Sequence, residues 1–86
     1  MPKISEFFGI LISMFFREHN PPHFHAEYAG KEALFSIDPI EVIEGQLPPR
    51  VRSLVIEWAA IHQKELRDDW ERARNKEELK KIPPLE

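Results

Sequence analysis

The chain contains no cysteine, which excludes disulfides and thiolate zinc sites and leaves histidine and carboxylate as the only strong metal ligands. No apolar run is long enough for a membrane span; the longest, residues 7–16, has about half the ~20 residues a span requires. That run also lacks a basic leader and a small-residue cleavage site, which predicts a soluble, cytoplasmic protein without a secretory signal. There is no excess of positive charge. Twelve lysines and arginines face fifteen acids, a net charge of −3 with histidines neutral, which argues against non-specific nucleic-acid binding but leaves room for a local basic patch. Glycine is scarce, and there is no glycine-rich phosphate loop, Ser/His/Asp set or cysteine nucleophile. Any catalysis must rest on histidines and carboxylates. The 86 residues make one domain, 1–86, with a thin core, because a chain this short buries only about 60–65% of its unfolded surface. A second subunit or a partner would add to that core.

What is present begins with β-forming sequence. Residues 9–16 are rich in β-branched and aromatic side chains and predict a strand. Ile10, Ile12, Met14 and Phe16 lie on one side of it, Leu11 and Phe15 on the other. Pro21 and Pro22 cannot continue a ladder, so residues 17–22 are a connection. Residues 23–29 and 32–38 form a hairpin about Gly30. In it Phe24, Ala26, Tyr28, Ala33, Phe35 and Ile37 share the core face. His23, His25, Glu27, Leu34, Ser36 and Asp38 share the other. A Gly30-Lys31 turn sets His23 opposite Asp38; an Ala29-Gly30 turn slides the register by two and keeps the faces.

Residues 41–44 are a short candidate fourth strand. Pro48-Pro49 opens a helix, where proline suits the first turn. Val51, Leu54, Val55, Trp58, Ile61 and Leu66 follow a 3.6-residue period, with His62 near the centre of the stripe. Glu65 and Asp69 interrupt it, which predicts that the helix leaves the core, bends or ends its packing near Leu66; Trp70 and Ala73 continue it with a shifted face. Residues 75–81 are charged, and an extended tail follows. The expected architecture is α+β: a small antiparallel sheet of three to four strands with one long C-terminal helix packed on one face. The other face, with Leu11, Phe15 and Leu34 beside the histidines, is then an uncovered interface. The tail residues Leu79, Ile82 and Leu85 are the rival cover.

The densest chemical feature is His19-Asn20-Pro21-Pro22-His23-Phe24-His25, which holds three of the four histidines. Histidines at i and i+2 on a strand point the same way, with Cα atoms about 7 Å apart. That geometry suits one divalent metal such as zinc or manganese, with His19 and Glu27 completing the set His19, His23, His25, Glu27. It equally suits an acid/base pair, His23 and His25, with Asp38 or Glu27 as the carboxylate. The plainer alternative is a histidine-rich turn that satisfies backbone groups or forms an interface. His62, on the core-facing stripe, reads as a hydrogen-bonded neighbour of Trp58. Arg50 and Arg52 sit in the first helical turn, where exposed amides and two cations would attract phosphate or carboxylate; ordinary solvated arginines are the alternative.

Met1-Pro2-Lys3-Ile4-Ser5 with Phe8-Gly9-Ile10, then His19-Asn20-Pro21-Pro22-His23-Phe24-His25-Ala26-Glu27-Tyr28, Glu44-Gly45-Gln46-Leu47-Pro48, Glu57-Trp58 with His62, Glu65-Leu66 and Trp70, resemble the bacterial domain-of-unknown-function 4160 family. The His-Asn-Pro-Pro-His-Phe-His string is the most specific part, and residues 75–81 are the least family-like. The family has no established activity. The resemblance implies one half of a two-gene cassette, often beside a domain-of-unknown-function 2442 protein, in a neighbourhood similar to toxin–antitoxin modules.

Three functions therefore compete. The first is an interaction component of such a pair, as a homodimer or bound to the protein encoded by a neighbouring gene. The second is a ribonuclease-like or metal-assisted toxin using His23 and His25. The third is a nucleic-acid-binding regulator using Arg50, Arg52 and the later helix.

Overall fold

A computed structural model of the chain describes residues 3–16 and 19–86. Arg17 and Glu18, the first residues of the expected connection, and Met1 and Pro2 of the resemblance lie outside the described residues. Five strands, β1 (Lys3–Phe7), β2 (Ile10–Ser13), β3 (His23–Tyr28), β4 (Lys31–Ile37) and β5 (Ile40–Gly45), precede two helices, α1 (Pro49–Ile61) and α2 (Gln63–Arg74). The strands form an antiparallel meander in the order β1-β2-β3-β4-β5.

The α+β class holds, but the expected three to four strands and single helix are corrected to five strands and two helices. The missed strand is β1. It joins β2 through Phe8 and Gly9, both at positive φ, in a tight turn whose first residue is a phenylalanine rather than a usual turn former. Only Ile4 and Phe7 are large apolar residues within it, too few to stand out as a period.

Ile12, Ala26, Ala33, Phe24, Phe35 and Ile37 are wholly buried on one face, where Phe24 and Phe35 stack at 5.4 Å. The core face read from the hairpin is thus the observed one. Its register is that of the Ala29-Gly30 turn, with His23 opposite Ser36 and His25 opposite Leu34. Pro48 and Pro49 start α1, whose Val51, Val55, Trp58 and Ala59 face the sheet.

Trp58 has no exposed surface and lies 5.4 Å from Phe7 and 5.9 Å from Phe24, ring to ring. Its indole N–H donates to the Pro83 carbonyl at 2.8 Å, so the residue joins helix, sheet and tail. Ile61, expected in the same stripe, is instead 63% exposed. The helical path breaks at His62 (φ −110°, ψ 25°), which rotates the stripe, and Leu66, Trp70 and Ala73 continue it in α2. The Gln63 side chain fixes the new direction by donating to the Ile37 carbonyl at 2.8 Å.

Of the outcomes expected near Leu66, the bend is the one observed, at His62, and the helix keeps its packing through Asp69. Asp69 is wholly buried, and one carboxylate oxygen accepts from Arg72 at 2.8 Å and from the Lys80 backbone N–H at 3.0 Å. A buried charge paired and hydrogen-bonded in this way is tolerated. The Lys80 bond turns the chain back toward β1, where the Ile82 N–H donates to the Ile4 carbonyl at 2.8 Å and Ile82 is buried. Leu79 and Leu85 pack against the same core cluster, while Phe15 and Leu34 stay half-buried.

Gly45 ends β5 at φ +83°, and a Cβ there would stand 2.3 Å from the Glu32 carbonyl oxygen. Two substitutions test this frame. Trp58→Ala removes the central contact and is expected to cost about 3–5 kcal/mol in denaturant unfolding. Gly45→Ala meets strain and backbone contact together and is expected to cost at least about 1–3 kcal/mol. An unchanged unfolding midpoint in either variant refutes the corresponding packing.

Candidate functional site

The proline turn is docked rather than loose. Pro22 offers its carbonyl to the Ile37 N–H at 3.2 Å, which fixes the turn to the end of β4 just before His23 enters β3. His23 follows with its ring 5.3 Å from Trp70 of α2 and 6% of the residue exposed. Its Nδ1 lies 2.8 Å from the Pro21 carbonyl. A carbonyl only accepts, so this nitrogen carries the proton.

His25, two residues on, is 5.5 Å from His23 ring to ring. Phe15 meets it edge-on at 4.5 Å, and Glu32 Oε2 lies 3.1 Å from its Nδ1. The carboxylate again makes Nδ1 the donor. Both rings thus spend Nδ1 within the protein, which removes that atom from metal binding.

The structure brings His23 and His25 together as read from their spacing, but not the rest of the expected set. His19 is exposed in the turn, and Glu27 is exposed in the row opposite Leu11 and Glu32. Asp38 is not opposite His23. It sits in the β4–β5 turn, exposed, 3.4 Å from Arg67. The carboxylate nearest the pair is Glu32, which the sequence reading did not consider because it lies seven residues from His25, across the hairpin. Among the described residues no three His, Asp or Glu side chains form a group able to hold a metal ion.

His62 stands as expected, 5.6 Å from Trp58 and bonded through Nδ1 to Glu65 at 2.6 Å. Arg50 and Arg52 do not converge, since helix positions two apart face different ways. Arg50 borders a small hollow with Phe8, Tyr28 and Leu54, and Arg52 borders a larger groove beside β5.

The outer face of the sheet carries Leu11, Phe15 and Leu34, all half-buried around His25. Phe15 folds over the histidine rather than standing free. Around this centre strand pairing sets five exposed glutamates: Glu6 opposite Leu11, Glu27 opposite Glu32, Glu44 opposite Leu34, and Glu41 opposite Ser36. Missing β1 and the extra residue in β5 concealed Glu6 and Glu44 from the sequence reading.

The profile of the family described as "Domain of unknown function (DUF4160)" matches residues 9–71. The chain belongs to that family. The match runs from the start of β2 into α2 and includes the proline turn, both sheet histidines, Trp58 and Trp70, while β1 and the tail that bonds to it fall outside. No curated protein and no solved structure matches the chain. Among the described residues no helix is long and apolar enough to cross a membrane.

The two histidines should respond differently to substitution. His23→Ala deletes a buried ring and its bond to Pro21 and is expected to cost about 1–3 kcal/mol. His25→Gln loses a partly solvated pair with Glu32 and is expected to cost under about 1 kcal/mol. Chemical denaturation checks both; equal costs would refute the division of roles.

Proposed function

We propose that the chain is the interaction component of a two-gene module of the toxin–antitoxin kind and acts by binding a partner protein rather than by catalysis. The supporting observation is how its histidines are used: His23 is built into the junction with Trp70, and His25 into the Phe15 and Glu32 contacts. Chemistry on a substrate would have to compete with those contacts. Surface for binding, by contrast, is plentiful. α1 packs on the core side and α2 reaches His23 through Trp70, while the rest of the outer face keeps a half-buried apolar centre and an acidic surround.

That surround weighs on the choice of partner. A two-fold dimer through the outer face would set the glutamates of one copy against those of the other, and like charges in apposition destabilise. Nucleic acid would meet the same sign of charge. A different protein, from a neighbouring gene, fits better.

One observation favours the toxin reading as a second choice: two rings 5.5 Å apart on neighbouring outward positions, one of them paired to a carboxylate. In that reading His25 and Glu32 form the acid/base pair. Expression of the chain alone in bacteria separates the two. The binding reading expects unimpaired growth and co-purification with the neighbouring gene's product. Growth arrest that His25→Ala abolishes would select the toxin instead.

A further inference from the structure

The two edges of the sheet are treated differently. β1 is bordered by the tail through the Ile82–Ile4 backbone bond and the Lys81 ammonium on the Lys3 carbonyl. β5 is the last strand on the other side, and among the described residues no backbone bond reaches its outer edge. Alternate N–H and C=O groups of such an edge are a template for another strand. Beside it runs a groove of about 530 Å³ between β5 and α1, with Ile40, Val42, Leu47 and Ile56 in its lining and Glu41, Gln46 and Arg52 as its polar groups.

We propose that β5 accepts an extended segment of a partner protein whose residues alternate apolar and basic, added as a sixth strand. This rests on the binding reading above and names its surface and its partner's chemistry. Along β5, Ile40 and Val42 pair with core-face residues of β4 and lie toward α1, whereas Glu41 and Glu44 pair with Ser36 and Leu34 on the outer face. A strand laid beside β5 repeats that division, because side chains alternate between faces. Its inward residues enter the groove past Ile40, Val42, Leu47 and Ile56, whose rim also carries Glu41, Gln46 and Arg52. Its outward residues stand beside two exposed glutamates, with Glu32 one strand further in.

Charge then selects parity. Lysines or arginines directed outward meet Glu41 and Glu44. Shifted by one residue they would be buried against Ile40, Val42, Leu47 and Ile56, while the apolar residues would face water. The same charges disfavour a second copy of this chain, since β5 paired with its own image places glutamates on adjacent strands.

The test uses the whole chain and two synthetic eight-residue peptides, one alternating valine and lysine, the other valine and glutamate. The lysine peptide is expected to bind about tenfold or more tightly, with new hydrogen-exchange protection at the amides of residues 40–45, and to weaken in 1 M salt. In Glu41→Lys/Glu44→Lys, two exposed substitutions that leave the core intact, the preference should reverse. Equal affinity for both peptides, protection elsewhere than β5, or self-association through β5 in sedimentation would overturn the proposal. If the neighbouring gene's product binds without protecting β5, this inference falls and the binding reading stands. If the lysine peptide binds β5 while that product does not bind, the inference stands and the binding reading falls.

Discussion

Three separate parts of the chain meet at the Trp58 indole. Its faces receive Phe7 from the first hairpin and Phe24 from the third strand, and its N–H reaches the carbonyl of Pro83. A wholly buried indole needs both kinds of contact, because its large apolar surface drives burial while the N–H must find an acceptor. The tail supplies that acceptor. The helix, the sheet and the last residues are therefore held by one side chain.

The break at His62 follows from the same packing. α1 ends at Ile61, and α2 carries Leu66, Trp70 and Ala73 as its buried residues. The turn at His62 and the Gln63 bond to Ile37 redirect the axis so that α2 reaches the end of the sheet, where Trp70 meets His23. The histidine closest in sequence to the proline turn thereby becomes part of the helix–sheet junction, and the outward histidine remains partly solvated.

Much of this was legible in residue order, for reasons that can be named. The β3–β4 hairpin was clear because a two-residue period of Phe, Ala and Ile carries its own face assignment, which survives any register slip of two. The start of α1 was clear from paired prolines. What remained hidden depended on contacts distant in sequence. Ile61 obeys the helical period and yet is exposed, since the period assumes an unbroken axis. Asp69 looked like the end of the apolar face; Arg72 is its i,i+3 neighbour, but the Lys80 amide that completes its surroundings comes from the tail beyond the helix. Glu32 lies beside His25 only after the turn residues choose the register, and Asp38 is removed from His23 by the same choice.

The unequal edges also bear on stoichiometry. A sheet with two free edges can grow from either side, and repeated addition leads to fibres. Here the tail bonds to β1 at Ile4, and among the described residues no backbone bond reaches the outer edge of β5. Strand pairing on this chain is therefore directed to one side of the sheet, one added segment per chain.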